Sequence, residues 1–317
     1  MNDPILQSIR DTIQNDIGKR GLRADPVANL VNAYPDDFQY ACETIALHPK
    51  PALCIVTGFF IPTATPPAGE TDGPLGALFL ARALVPLGIP VVLATDAFCV
   101  RAFETGLAEC GLRDRVPIVT LPTFTDAATM SDADYANHVL GEMSITHRIA
   151  IERVGPNHDG RCLTMRGRDI TDRMSPAQRI FKPGGIVTIG IGDGGNEIGM
   201  GKIAPEIIAR NIANGDAIAC RTATDHLIVT GVSNWGGYAL AAGVAHLRRV
   251  SLAGELFDPD RERAILERMV AAGPLVDGVT GQPSATVDGL TWEQYADVLV
   301  RIGFLAKAEG PFGNNGH

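Results

Sequence analysis

The sequence predicts an α/β fold, a doubly wound and mostly parallel sheet with helices on both faces. Three observations lead to this prediction. Short apolar runs recur along the chain, each runs into a loop that contains glycine or an acid, and helical patterns separate most of the runs. Near-continuous apolar runs are typical of strands buried on both faces, and their alternation with helices is typical of parallel sheets.

Residues 1–50 are expected to form a helical lead-in to this sheet. Within them, residues 3–20 carry isoleucines at i, i+4 spacing, which predicts an amphipathic helix over that range. The four isoleucines are Ile5, Ile9, Ile13 and Ile17. A polar passage that contains proline follows before the first strand.

Six strands are predicted from the apolar runs. They cover residues 52–57, 90–95, 116–121, 147–151, 185–191 and 226–230. Helical patterns connect them or follow the last strand, at residues 74–87, 97–110, 131–142, 203–213, 235–248, 259–272 and 291–303.

Residues 1–317 are expected to form a single α/β domain, because no linker, repeat or low-complexity tract interrupts the pattern. The 45% content of hydrophobic residues is sufficient for a large core. Residues 153–182 form a long, polar and arginine-rich segment, which we interpret as an insertion over the active site.

Composition argues against several classes of protein. The net charge is −9 and the chain has no run of lysine or arginine, so no nucleic-acid partner is expected. The six cysteines include no CxxC pair, which favours reduced thiols. The first residues show no targeting signal, and residues 74–100 are too interrupted for a membrane helix. We therefore expect a cytoplasmic protein with no membrane partner.

The candidate functional residues lie where the predicted strands end. Ligands of open parallel sheets bind beyond the carboxyl ends of the strands. The polar residues that follow the first, second, fourth, fifth and sixth strands are Glu70, Asp72, Asp96, Glu152, Arg153, Asp193, Asn196, Glu197 and Asn234.

The segment after the fifth strand is the most informative. Its glycines, which include Gly194 and Gly195, allow backbone N–H groups to approach an anion closely. Asp193 and Glu197 add oxygen ligands of the kind that a divalent cation prefers. The loop therefore suggests a site for an anionic substrate, for a metal ion, or for both.

The same loop departs from a dinucleotide-binding motif. Gly190, Gly192 and Gly195 match the spacing GxGxxG, but the carboxylate of Asp193 inside the motif would repel a pyrophosphate. No acid for a ribose hydroxyl follows a second strand at the expected distance. No nicotinamide or flavin cofactor is therefore expected.

Structural roles remain open for several of these residues. Asp72 and Asn234 each precede a predicted helix and could be helix N-caps. His158 lies in a turn-like sequence, and Arg161, with Arg166 and Arg168, could simply solvate a long loop.

Four motifs together resemble the D-glutamate cyclase-like family, which includes the C-terminal domain of mitochondrial D-glutamate cyclase and stand-alone prokaryotic proteins. They span most of residues 50–300. They are Thr57-Gly-Phe-Phe-Ile with Pro67-Ala-Gly-Glu-Thr-Asp-Gly-Pro74, Ala150-Ile-Glu-Arg-Val-Gly155, Gly192-Asp-Gly-Gly-Asn-Glu-Ile-Gly-Met-Gly201 and Val232-Ser-Asn-Trp-Gly-Gly237.

The resemblance implies an α/β lyase that converts D-glutamate to 5-oxo-D-proline and water with the help of a divalent cation. We expect Mn²⁺ or Mg²⁺ to polarise the carboxylate, held by Glu70, Asp72, Asp193 and Glu197. Glu152 is the candidate base, with Asp96 and Asn196 as further catalytic candidates. The candidates for substrate binding are Arg153, His158, Arg161, Gly194, Gly195 and Asn234.

Two other functions remain open at this point. The same acids and glycine loop would suit a metal-dependent phosphoryl-transfer enzyme or phosphatase. The second is a non-catalytic sensor that binds an acidic amino acid, although a protein that only binds an anion has less use for so many acids. For a cyclase as for a sensor, the expected partner molecule is a small acidic amino acid. We also expect that the protein assembles into a homo-oligomer.

Overall fold

The computed structural model describes residues 3–141, 143–182 and 184–307. Within these ranges the chain forms nine strands. They are β1 (Leu53–Thr57), β2 (Phe60–Ile61), β3 (Ala68–Glu70), β4 (Val91–Thr95), β5 (Ile118–Thr120), β6 (His147–Ile151), β7 (Val187–Gly192), β8 (His226–Val229) and β9 (Leu275–Val276).

Twelve α-helices lie in the same ranges. They are α1 (Pro4–Ile13), α2 (Leu30–Ala33), α3 (Asp37–Leu47), α4 (Pro74–Leu84), α5 (Ala97–Glu109), α6 (Phe124–Ala128), α7 (Asp132–Leu140), α8 (Pro205–Asn211), α9 (Gly215–Ile218), α10 (Ser233–Arg248), α11 (Pro259–Ala272) and α12 (Trp292–Lys307). Short 3₁₀ turns occur at Val85–Leu87, Thr171–Arg173, Ala177–Ile180 and Gly254–Phe257.

The main sheet has six parallel strands in the order β5-β4-β1-β6-β7-β8. The chain builds outward from β1 to β5, then returns to the other side of β1 and builds outward again from β6 to β8. This order confirms the doubly wound α/β fold and all six predicted strands. The direction of winding reverses between β1 and β6, so these two strands mark the expected place for a ligand.

Alternate residues of the buried strands face opposite layers of helices. On one face, Ile55, Leu93 and Ile149 join a core that includes α1, α3, α4, α10, α11 and α12. On the other face, Val56 and Ala94 pack against α6 and α7. The period of two follows from the pleat of a strand, and it explains why these runs are apolar throughout.

The N-terminal helix is shorter than predicted. It begins at Pro4, with the Asp3 side chain accepting from two backbone N–H groups, and it ends at Ile13 rather than at residue 20. The Ile13 carbonyl accepts hydrogen bonds from the Gly231 N–H and the Thr230 hydroxyl, at 2.8 Å and 3.0 Å. Tertiary contacts with the loop after β8 therefore end the helix, and residues 14–22 take an irregular course.

A second, three-stranded sheet was not predicted. Strands β2 and β3 pair antiparallel, and β3 pairs in parallel with β9. Strands of two or three residues leave no periodic pattern in a sequence. This small sheet joins the segment after β1 to the segment after β9, which brings two acidic loops together.

The remaining helix predictions differ from the structure only at their ends, and residue 142 of the predicted helix 131–142 lies outside the described residues. In residues 153–182 the only regular helical structure is the two 3₁₀ turns Thr171–Arg173 and Ala177–Ile180. In the described part of the chain, no helix has both the length and the apolar character that crossing a membrane requires. All six cysteines are free.

Candidate active site

A cavity of about 500 Å³ opens at the carboxyl ends of β1 and β6, where the winding of the sheet reverses. Residues from four parts of the chain line it, within the ranges 18–20, 59–70, 152–168 and 278–288. The segment 153–182 contributes residues 164–166 and 168, so part of the predicted insertion does border the cavity.

Five carboxyl groups converge at this cavity or directly behind it. Their exposed fractions are between 0% and 9%, so the solvent screens them little. Each follows or precedes a regular element: the five are Glu70 at the end of β3, Asp72 before α4, Glu152 after β6, Asp193 after β7 and Asp288 in the loop after β9.

Burial and mutual repulsion disfavour the charged forms of these acids. Burial raises the pKa of Glu70 and of Glu152 well above the usual range for a glutamate, and the neighbouring carboxylates raise it further. Burial, followed by the charge of Asp288, raises the pKa of Asp72 to about 7. The pKa of Asp193 is also raised by burial, although the charge of Arg20 opposes this shift.

Two groups of these acids have the spacing of metal ligands. One oxygen each from Asp72, Asp193 and Asp288 lie within 4.8 Å of one another. Glu152 and Glu197 form a second group with the same Asp193. Asp193 therefore belongs to both groups. Neither of its buried oxygens accepts a hydrogen bond, and one of them, Oδ1, lies 3.1 Å from the Arg20 guanidinium. Unsatisfied buried carboxylate oxygens of this kind suit a divalent cation.

One arginine side chain lies among the carboxylates. The guanidinium of Arg20 contacts Asp193 at 3.1 Å and Asp288 at 2.5 Å. Burial alone would lower the pKa of Arg20, but the charges of Asp193 and Asp288 raise it well above its usual value. The Asp16 carboxylate accepts hydrogen bonds from the Arg20, Gly21 and Leu22 N–H groups, and this turn directs Arg20 into the cavity.

The glycine loop after β7 binds a carboxylate of its own. The Glu197 side chain accepts hydrogen bonds from the Asp193, Gly194 and Gly195 N–H groups, at 3.1, 2.6 and 2.8 Å. A Cβ at Gly192 would lie 2.9 Å from the Glu197 carboxyl carbon, so the glycine makes this close approach possible. The N–H groups expected to bind a substrate anion are therefore already occupied by Glu197.

Glu152 occupies the reversal point of the sheet itself. Its backbone has φ of 44°, a left-handed conformation that is rare for glutamate. Its carboxylate accepts a hydrogen bond from the Ser233 hydroxyl at 2.5 Å, and Ser233 is the first residue of α10. A Cβ at Gly73 would lie 2.9 Å from the Glu152 Cβ, so only glycine fits at that position.

Comparison with known proteins identifies the family. A family model described as "D-glutamate cyclase-like, C-terminal" matches residues 9–303. The chain belongs to this family. It is also 34% identical over 209 residues to the human protein "D-glutamate cyclase, mitochondrial". The aligned region covers 63% of this chain and 34% of the human protein. The aligned part is therefore about one third of the length of that relative.

Two residues predicted to act in the cyclase-like site bind each other instead. Arg153 forms a buried ion pair with Asp96, and it also donates to the Gly58 and Ser175 carbonyls at 3.1 Å and 2.7 Å. Asp96 accepts from the Ser175 N–H at 2.7 Å. Because Arg153 is fully buried and neither residue lines the cavity, the pair ties the segment after β6 to the end of β4.

Of the predicted site residues, Glu70 and Glu152 belong to the cavity lining and the others do not, with Asn196, His158 and Arg161 among them. The Asn196 amide donates to the Leu163 carbonyl at 2.8 Å and so fixes the glycine loop to the segment 153–182. The side chains of His158 and Arg161 are 57% and 51% exposed, and both contact Asp159. Their sequence context, a turn, accounts for this arrangement.

Three further residues line the cavity or contact its acids, and the sequence did not lead us to them: Arg20, Asp288 and Ser233. Arg20 was assigned to a helix that in fact ends at Ile13. Asp288 follows a loop shaped by Asp277, whose carboxylate accepts from the Val279, Thr280 and Gly289 N–H groups. Asp288 precedes Gly289, and this acid–glycine pair is the signal that could have indicated it. Ser233 lies within the motif Val232-Ser-Asn-Trp-Gly-Gly237, and this place in the motif is the signal that could have indicated it.

Proposed function

We propose that the chain is a D-glutamate cyclase-like lyase that converts D-glutamate to 5-oxo-D-proline and water with a divalent cation. The observation that supports this most is a cluster of buried carboxyl groups, with Arg20 in contact with two of them, in a member of this family. A small substrate with both an amine and carboxylates would be complementary to that set of charges.

We assign the cation, Mn²⁺ or Mg²⁺, to Asp193 together with Asp72 and Asp288, and we keep Glu70 and Glu197 as neighbouring acids of the same site. The fit rests on buried oxygens that accept no hydrogen bond: both of Asp193, of which Oδ1 is paired with Arg20, one of Asp288 and one of Glu70. When bound, the cation would polarise the γ-carboxylate and offset the charge that makes it a poor electrophile.

Arg20 takes over the role of substrate arginine that we first assigned to Arg153 or Arg161. Its guanidinium presents several N–H donors in a planar fork that matches a carboxylate. It already contacts two carboxylates of the protein. We assign the α-carboxylate of the substrate to Arg20, in place of one of these two contacts.

Glu152 is the base of the proposal. Its raised pKa makes it a stronger proton acceptor than an ordinary glutamate. The pKa of Glu152 is therefore closer to that of the substrate's ammonium group, from which it must take a proton. In the balanced reaction, the nitrogen forms a bond to the γ-carbon and gives up two protons, and one oxygen leaves that carbon as water. Ser233, which donates to Glu152, orients the carboxylate.

The phosphoryl-transfer alternative loses its main support. It relied on free N–H groups of the glycine loop to hold a phosphate. Three of those N–H groups donate to Glu197. A sensor that binds D-glutamate without turnover remains distinguishable only by assay.

Proton NMR of the purified protein with D-glutamate or L-glutamate tests the proposal directly. We expect 5-oxoproline from the D-isomer with Mn²⁺ or Mg²⁺, and none after chelation. Binding-induced thermal stabilisation without product would favour the sensor. A lack of both binding and product with folded, metal-supplied protein would refute the assignment. A cytoplasmic location, the absence of a nucleic-acid partner and a homo-oligomeric state stay predictions from the sequence.

A further inference from the structure

We propose that the same cavity also accepts glutamate derivatives in which an apolar amine is joined to the γ-carboxyl, and that it cyclises them with release of the amine. This inference rests on the proposed function, because it uses the same base and the same arginine. It adds a class of substrate, the γ-amides of D-glutamate, and a leaving group other than water.

The first support is the size of the cavity. Its volume of about 500 Å³ lies within the range of roughly 300–1,000 Å³ that encloses drug-sized ligands. Free glutamate is much smaller than such ligands. A bound glutamate would therefore leave part of the cavity to solvent, whereas a γ-amide would extend into it.

The second support is an apolar wall of this cavity, formed by Phe59, Ile61, Pro62, Met165 and Val279. Phe59 and Ile61 are only 4% and 6% exposed, and they belong to a hydrophobic cluster of their own. Their positions are thus fixed by packing. Glutamate has no apolar group beyond its two methylenes, so this wall matches a substituent that free glutamate lacks.

The third support is the balance of charge. Among the described residues of the lining, Arg20 is the only basic side chain that is not exposed, since Arg166 and Arg168 lie at the surface. Free D-glutamate carries two carboxylates into a site that already holds five carboxyl groups. A γ-amide carries one, which Arg20 can bind, and its γ-carbonyl is neutral.

The step balances without any further reactant. The α-nitrogen forms a bond to the γ-carbonyl carbon, and the bond from that carbon to the amide nitrogen breaks. The α-ammonium gives up two protons: Glu152 transfers one to the departing amide nitrogen, and the other goes to the solvent or to the released amine where that amine is basic. An amide carbonyl also lacks the negative charge that makes a carboxylate resist attack, so the chemistry is less demanding than with free glutamate.

The γ-(4-nitroanilide) of D-glutamate is a suitable probe, because the released 4-nitroaniline is coloured. With the Mn²⁺-supplied full chain we expect equal amounts of 4-nitroaniline and 5-oxoproline. The α-(4-nitroanilide) is the matched control and should release no 4-nitroaniline, since ring closure onto its γ-carboxyl leaves the anilide intact. Conversion of D-glutamate without release from the γ-anilide would overturn this inference and leave the proposed function standing. Inactivity towards both would refute both proposals.

Two variants test the wall. Val279→Trp, at a side chain that is 47% exposed, should lower the ratio of kcat/KM for the γ-anilide to that for D-glutamate at least tenfold. Val250→Trp is the control, because Val250 is 39% exposed and follows the C-terminal end of α10, at the opposite end of that helix from Ser233. An unchanged ratio in Val279→Trp would show that the wall does not hold the amine.

Discussion

Asp72 and Asn234 cap the N-termini of each other's helices. The Asp72 carboxylate accepts from the Ser233 and Asn234 N–H groups at the start of α10, at 2.9 Å and 2.7 Å. The side-chain amide oxygen of Asn234 accepts hydrogen bonds from the Gly73 and Gly76 N–H groups at the start of α4, at 2.9 Å and 2.7 Å. Two positive helix ends thereby meet beside the acidic cavity.

This exchange also explains why glycine occurs in both helices. A Cβ at Gly76 would lie 2.7 Å from the Asn234 Cα, and a Cβ at Gly237 would lie 2.8 Å from the Gly76 carbonyl oxygen. The helices can cross this closely only because both positions lack a side chain. Both residues had been left open as caps, and both cap the partner helix rather than their own.

Replacing Asn234 with Ala should destabilise the fold strongly. The change leaves the buried Gly76 N–H without its acceptor and the Thr71 carbonyl without its donor, whereas the Gly73 N–H keeps the Asp72 carboxylate at 2.9 Å. Each buried polar group that loses its partner costs about 1–3 kcal/mol. We expect a total loss of roughly 2–4 kcal/mol in the free energy of unfolding, measured by urea denaturation. Ser131→Ala removes a single exposed cap of α7 and should cost only about 1 kcal/mol. Equal losses in the two variants would contradict the buried exchange of caps.

The sequence predicts those parts of this protein that depend on local pattern. The six long strands are apolar because they are buried on both faces, so their positions and the doubly wound order of the sheet were accessible. The acids after β1, β6 and β7 were found because strand ends collect ligands in this fold. A strand pattern, however, does not indicate which of these acids lie together or which of their oxygens accept no hydrogen bond.

The parts that were missed depend on contacts between distant segments. Helix α1 ends where its last carbonyl meets Gly231, more than two hundred residues away, and Arg20 enters the site from the irregular segment that follows, where the turn at Asp16 directs it. Arg153 has the strand-end position of a substrate-binding residue, yet Asp96, at the end of β4 on the other side of β1, neutralises it. Spacing along the chain does not distinguish an arginine that faces a cavity from one that is paired behind it.

Replacing Arg20 with Ala should weaken substrate binding more than turnover. A hydrogen-bonded contact between charged groups contributes about 1.5–3 kcal/mol, which corresponds to a rise of about 10–100-fold in KM for D-glutamate. Steady-state kinetics would measure it. Arg20→Lys should recover only part of the loss, because an ammonium lacks the planar fork. Arg23→Ala, at an exposed arginine of the same segment, is the control; an equal effect there would remove the role of Arg20.

Replacing Glu152 with Gln should reduce kcat and leave the fold intact. The amide oxygen can still accept from the Ser233 hydroxyl, but it cannot take a proton from the substrate. Loss of a general base lowers rates by about 10²–10⁴-fold. Kinetics together with circular dichroism would separate this effect from unfolding. Glu104→Gln is an exposed control, and retention of full turnover in Glu152→Gln would transfer the base to another residue.

His147 should make the fold less stable as the pH falls below neutral. Burial lowers the pKa of His147 to about 4, so the unfolded chain takes up this proton at higher pH than the folded protein does. The contribution of His147 to the free energy of unfolding is fully present above the pKa of a histidine in the unfolded chain, about 6.5. It is lost as the pH falls from there towards 4. The loss for this group should be roughly 1–3 kcal/mol.

Urea denaturation between pH 7.5 and pH 5 would isolate this contribution as a difference between variants. His147→Gln removes the titrating ring and should flatten the dependence on pH, whereas His138→Gln, at an exposed histidine, should not. Parallel curves for wild type and His147→Gln would mean that His147 is protonated without cost in the folded state.

Replacing Asp193 with Asn should stabilise the metal-free protein and abolish its response to metal. The raised pKa of Asp193 means that its charged form is disfavoured in the folded state, so the penalty grows as the pH rises through the folded pKa. A neutral amide of the same shape avoids this penalty, and we expect a gain of about 1 kcal/mol in the free energy of unfolding at pH 8.

The response to metal is the second expected difference. Wild type should gain about 2.7 kcal/mol in the free energy of unfolding from Mn²⁺ at a concentration one hundred times its Kd. The variant should gain almost none, because Asp193 belongs to both candidate ligand groups. Asp114→Asn, at an exposed aspartate, should behave as wild type in thermal unfolding with and without Mn²⁺. A metal response retained in Asp193→Asn would place the cation elsewhere among the acids.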